Sequence, residues 1–235
     1  MKEPGLRIDL NCDLGEGAGS DAAVLPFITS ANVSCGAHAG TPDDMAKTLS
    51  RCAALKVVVG AHPGHPDPAH FGRRELPIPP RDVLEETVRQ IVYLRQMAAA
   101  AGVAVRYVKP HGGLYHQANR DDVYADAVVA AAERAGLPVV GLPGSRLATR
   151  AAGRVPFVAE GFADRRYQPD GSLVPRDQPG AFVEDAVAAI VQVRDLMARG
   201  VRTVCVHGDN PMALAFVRAV RAELWRAGVA IEPFA

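Results

Sequence analysis

Val105-Arg106-Tyr107-Val108-Lys109-Pro110-His111-Gly112-Gly113-Leu114-Tyr115 holds the logic of the whole chain in eleven residues. Val105 to Val108 read as a short β run. Pro110 cannot donate to a sheet ladder, and Gly112-Gly113 permits a tight turn before a helix-like segment. Lys109 and His111 therefore stand where a strand stops and a loop begins.

The same punctuation recurs. A run from Ile8 ends in Asn11 and Asp13, and one from Ser30 leads past Asn32 into Gly36-Ala37-His38-Ala39-Gly40. Val57–Val59 leads into Gly60-Ala61-His62-Pro63-Gly64, Phe157–Glu160 into Gly161-Phe162-Ala163-Asp164, and Thr203–Val206 into His207-Gly208-Asp209-Asn210. Strand-like runs near 6–12, 29–35, 56–61, 104–109, 137–141, 155–160 and 202–206 alternate with helical patterns over 42–55, 81–101, 121–135, 181–199 and 211–227. Such alternation implies a parallel sheet. Ionisable residues follow nearly every strand, whereas an open sheet would gather them at one switch point. The expected fold is thus α/β, a single TIM-like (β/α)7 barrel over 1–235, with a short eighth strand at 229–232. Its irregular stretch 161–180 is expected to lie over the mouth.

The 235 residues suffice for one such domain, and 49% hydrophobic content for its core. The 26 basic and 26 acidic residues cancel, which gives no sign of a nucleic-acid or anionic membrane partner. Four cysteines without CxxC spacing read as reduced core residues. No signal-like N-terminus and no run of about 20 apolar residues is found, so a cytoplasmic location is expected.

Period-two alternation places Asp9, Asn11 and Asp13 on one side of their strand, where buried polar groups need partners or substrate. Asp13 reads as general base or metal ligand, against a plain cap or loop ion pair; Glu16 leans toward the plain reading. His38, His62, His111 and His207 sit at equivalent ends of different strands. With Asp13, the imidazoles of His38, His62 and His111 suit a divalent transition metal holding an activated water. Without metal the set suits acid–base catalysis near neutral pH. Lys109 is a candidate oxyanion clamp. Arg73-Arg74, Arg165-Arg166 and Arg176 are candidates to grip an anionic substrate, or else solvated loop residues. No GxxxxGK[ST] loop, GxGxxG turn or GxSxG elbow occurs, so no site for ATP is visible.

As an ordered set, these motifs resemble the LamB/YcsF family. The matching stretches are Asp9–Glu16, Ser30–Gly40, Gly60–Gly64, Phe71–Arg74, Val108–Gly112, Phe162–Arg165, Leu173–Arg176 and His207–Asn210. The chain departs from the family pattern at Ala37, at Thr41 and in the short 199–203 connection. The resemblance implies a seven-stranded barrel like those of glycoside hydrolases and polysaccharide deacetylases. It implies the A component of an ATP-dependent 5-oxoprolinase, opening the lactam of 5-oxo-L-proline to L-glutamate with B and C subunits; a homo-oligomer is compatible with it. Asp13, His62, Lys109, His111 and His207 would then be catalytic, with Asp13 as base, Lys109 and His111 on developing charge, and His207 with Asp209 at the leaving group. Asn11, Asn32, His38, Arg73, Arg74, Asp164, Arg165, Asp209 and Asn210 would bind substrate. Two other readings stand beside it: a metal-dependent deacetylase of an acetylated sugar or amine, and a non-catalytic subunit that presents the lactam.

Overall fold

A computed structural model describes residues 6–169, 171–176, 178–183, 185–206 and 213–235. His207, Asp209 and Asn210 lie outside the described residues. Strands β1 (Arg7–Leu14), β2 (Ser30–Ser34), β3 (Val58–His62), β4 (Val105–Val108), β5 (Val139–Gly141), β6 (Phe157–Phe162) and β7 (Thr203–Cys205) pair in parallel in chain order. β1 closes the ring by pairing with both β2 (Asp13 beside Asn32) and β7 (Asp9 beside Thr203). The expected seven-stranded barrel is therefore present. The short eighth strand, β8 (Ala230–Ile231), is present too, but it joins only Arg7 and Ile8 at the base of β1.

Helices follow the strands: α1 (Asp21–Val24), α2 (Pro42–Leu55), α3 (Pro80–Ala100), α4 (Gly112–Arg120), α5 (Asp122–Ala135), α6 (Arg146–Ala151), α7 (Ala186–Ala198) and α8 (Ala213–Arg226). α2 starts where its sequence says. Thr41 accepts from the Asp44 amide while Asp44 accepts from the Thr41 amide, with Pro42 at the first helical position. α7 begins five residues later than its periodicity predicts. Asp185 caps it by accepting from Val187 and Ala188, while residues before it are held in the mouth loop, where Phe182 bridges Arg165 and Val183 donates to the Asp164 carbonyl. No helix among the described residues is long and apolar enough to cross a membrane.

The main core lies between strands and helices. Ile8, Leu10, Cys12 and Leu14 of β1 pack in one buried cluster with α2, α3, α5 and α8. Their neighbours Asp9, Asn11 and Asp13 turn the other way, into the barrel, as the alternation requires. The base of that interior is apolar: Tyr107, Val140 and Val158, with Phe234 of the C-terminal segment against the Tyr107 ring at 4.9 Å. Gly60 makes room for this plug, since a Cβ there would stand 2.1 Å from the ring of Tyr107.

Candidate functional site

The upper interior is polar and almost dry. Asp9 accepts from Thr29, Ser30 and Thr203, and burial, only partly offset by these hydroxyls, pushes its pKa up to about 6. Asn11 donates to Thr203 and to Glu160 Oε1 and accepts from Asn32, which in turn accepts from the Tyr107 hydroxyl at 2.7 Å. Above this layer the Lys109 ammonium is 2% exposed. It lies 2.8 Å from Glu160 Oε1, 3.0 Å from Asp13 Oδ1, 3.3 Å from Asn11 Oδ1 and 3.2 Å from Cys205 Sγ. Burial alone would strip its proton, but Asp13, Cys205 and Glu160 outweigh it and hold the pKa well above the usual lysine value. Four acceptors meet three N–H protons. Lys109 is a fixed counter-charge inside the wall, which restricts the clamp role suggested by its position in sequence.

Asp13 receives Asn32 Nδ2 at 2.7 Å and Lys109 on Oδ1, leaving Oδ2 3.3 Å from His62 Nε2. His62 Nδ1 donates to the Lys109 carbonyl at 2.7 Å, and His111 Nε2 to the Phe71 carbonyl at 2.8 Å. A carbonyl brings no proton, so both rings spend one there. Their remaining nitrogens, His62 Nε2 and His111 Nδ1, face each other at 3.0 Å. Glu16 Oε1 completes the cluster at 3.1 Å from His38 Nε2 and 3.4 Å from His111 Nδ1. His38 stacks on His111 with centroids 3.8 Å apart. Burial lowers His62, but Asp13 overrides it and the net shift is upward; burial, His38 and His62 together drive His111 well below its usual value.

The backbone is shaped for this packing. A Cβ on Gly64 would come within 2.7 Å of His38 Nδ1, and one on Gly72 within 2.5 Å of His38 Cβ. Gly72 also has φ +61°, a region few side chains tolerate.

A cavity of about 420 Å³ opens over the cluster. Asp13, Glu16, His62 and His111 form its floor, and Arg73, Arg165, Arg176 and His116 belong to its wall. Arg165 is buried and donates to the Val174 carbonyl. Other residues expected at the site fall elsewhere. Arg74 grips Asp67 with Nε at 2.8 Å and Nη2 at 2.9 Å, and is absent from the lining. Asn11 and Asn32 lie beneath the floor, His38 behind it, and Asp164 is buried beside the mouth loop. Sequence reasoning misses Glu160, which shares the Lys109 ammonium with Asp13. The signal for Glu160 is the lysine itself, since a buried ammonium at a strand end demands carboxylates on neighbouring strands.

Asp13, His62 and His111 offer ligand atoms all within 4.8 Å of one another, as do Glu16, His38 and His111. The facing lone pairs fit a divalent ion. The lysine at the cavity is held by two carboxylates, and Gly113, at the start of α4, spends its amide on the Gly72 carbonyl, so neither is left to grip a phosphate.

The LamB/YcsF family profile matches residues 8–235. The chain is 46% identical to the A subunit of 5-oxoprolinase from Streptomyces griseus, over 97% of this chain and all of that one. It superposes on the crystal structure of a lactam utilization protein from Thermus thermophilus with a TM-score of 0.90 and 36% identity, covering 97% of this chain and all of the other. A family 4 carbohydrate esterase from Streptomyces lividans shares the fold alone, at TM-score 0.54 and 14% identity over 98% of this chain and 93% of that one. The chain is a member of the LamB/YcsF family.

Proposed function

We propose that this chain is the A component of an ATP-dependent 5-oxoprolinase and performs the hydrolytic step, opening 5-oxo-L-proline to L-glutamate. The observation that carries the reading is the His62–His111 contact beside Asp13 and Glu16, on the floor of a cavity at the strand ends. That arrangement can take a proton from water and return one to a ring nitrogen within a few ångströms, which amide hydrolysis needs. His111 presents the accepting nitrogen, and His62, held against Asp13, the donating one. Lys109 positions Asp13 from below. Arg73 and Arg176 on the wall offer guanidinium groups for the substrate carboxylate.

With a divalent ion in place of the shared proton, Asp13 Oδ2, His62 Nε2 and His111 Nδ1 would be its ligands instead, and the ion would polarise a carbonyl and acidify water. The B and C subunits would use the ATP.

Glutamate release from 5-oxo-L-proline with ATP tests this, using the chain alone and then mixed with candidate B and C subunits. Release in the mixture only is expected. Silence in both, with acetate released from acetylated sugars, would favour the second reading that the same Asp13–His62–His111 triad supports, a metal-dependent deacetylase. If Asp13→Ala merely weakens lactam binding while the mixture still turns over, the chain only presents substrate.

A further inference from the structure

α3 buries one face against the barrel: Val83, Thr87, Gln90, Ile91, Leu94 and Ala98. Gln90 is the only amide in that row, and it is 1% exposed. Burying an amide is costly unless its hydrogen bonds are met. Here most of them are met by the backbone of one residue in the loop between β3 and α3. Gln90 Oε1 accepts from the Gly64 amide at 3.0 Å, while Gln90 Nε2 donates to the Gly64 carbonyl at 2.8 Å and to Glu86 Oε1 at 2.9 Å.

Gly64 is where that loop presses on the histidine cluster. A Cβ on it would stand 2.7 Å from His38 Nδ1 and 3.2 Å from His111 Cβ, and the carbonyl of its neighbour Pro63 accepts from the His111 amide at 2.8 Å. Pro63 and Pro66 themselves have no amide with which to tie the loop down. The His38 ring is hydrogen-bonded through Nε2 to Glu16 Oε1, and its Nδ1 has no partner among the described residues. Its seat therefore rests on packing, with Gly64 at one edge and the stack on His111 (3.8 Å, 4°) across its face.

Resting on the hydrolytic reading above, we infer that Gln90 is a positioning residue: by holding both backbone groups of Gly64 from outside the barrel, it fixes the His38–His111 stack and, through it, the contact of His111 with His62. Gln90 is absent from the cavity lining, so it acts on turnover through these rings and not on substrate. In Gln90→Met, similar in length but without polar atoms, the buried Gly64 N–H and C=O lose their partners. The loop must shift to satisfy them, and the stack moves with it.

Two-bond proton–nitrogen correlation of the imidazoles, in the chain alone, reads where the rings sit. In Gln90→Met the His38 and His111 signals should move or broaden, while those of the exposed His70 and His116 stay in place. Glu86→Ala removes only the outer acceptor of the Gln90 amide, from a half-buried site, and keeps the fold; the same two signals should move by less. In the reconstituted complex, Gln90→Met should lower kcat by about 10- to 100-fold with KM within about threefold. Ile91→Val, which loosens the same helix face but removes no hydrogen bond, should leave kcat within about threefold of the parent. Unmoved His38 and His111 signals in the folded variants overturn the inference. So does a Gln90→Met complex with kcat within about threefold of the parent, or one that loses no more than Ile91→Val. A parent complex that releases no glutamate removes the hydrolytic reading, and the imidazole signals then still decide whether Gln90 holds the stack.

Discussion

His62 Nε2 and His111 Nδ1 stand 3.0 Å apart, each on a ring whose other nitrogen donates to a main-chain carbonyl. Two lone pairs do not face each other at that distance unless a proton or a cation sits between them. Zn²⁺ offered to the chain should therefore bind at one ion per chain. His111→Ala should weaken that binding at least about tenfold, the scale of losing an ordered ligand. Isothermal titration reads both, and heats that do not saturate would mean that a shared proton does the work.

Lys109 joins two carboxylates, the part-buried Asp13 at 3.0 Å and the fully buried Glu160 at 2.8 Å. Lys109→Met should cost about 3–5 kcal/mol in urea unfolding, since it strands both of them without their shared cation. Adding Glu160→Gln to that variant should restore part of the loss. Strict additivity of the two substitutions in the double-mutant cycle would show that the pair is not coupled.

Asp9 has a folded pKa of about 6 against an ordinary 3.8, so the folded chain binds more protons than the unfolded chain between about pH 4 and 6. Stability contributed by this group is present below that window and is lost as pH rises through it. Asp9→Asn has no such dependence. From about pH 4.5 to 7.5, the stability of Asp9→Asn relative to the parent should improve by about 2 kcal/mol. A pH-independent difference between parent and variant would sink the assignment.

Gly64→Ala places a methyl against His38 Nδ1 and His111 Cβ. These two rings stack on each other, so the strain falls on the floor of the cavity rather than on the outer core. Turnover should drop by at least about tenfold while unfolding changes by no more than about 2 kcal/mol. Full activity would show that the stack can shift without consequence.

Much of the barrel is legible in the order of residues alone. Strands such as Val57–Val59 are apolar on both faces because helices cover one side and the barrel encloses the other, and their ends announce themselves with glycine, proline and charge. Asp13, His62 and His111 are legible for the same reason, since a barrel sends every strand end to one mouth. What stays hidden is direction. Nothing near Lys109 in sequence shows that its amine turns inward to Glu160, which lies on β6 across the barrel. Arg73 and Arg74 are neighbours on one loop, yet one reaches the cavity and the other is locked to Asp67. Loops lack the fixed periodicity that tells facing residues from outward ones.

The pairing of β1 with β7 ties the first strand of the site to residues almost two hundred positions later: Asp9 beside Thr203 and Asn11 beside Cys205. During synthesis, Asp9, Asn11 and Asp13 leave the ribosome early, yet the wall that satisfies them is complete only when nearly the whole chain has emerged. Until then several polar groups meant for a dry interior remain in water, which favours an open chain over a half-closed one. The site is thus among the last parts to form, and its assembly carries the slow, long-range step expected of folding dominated by distant contacts. A nascent or truncated chain ending before β7 would hold all of the floor residues in a ring that cannot close beneath them.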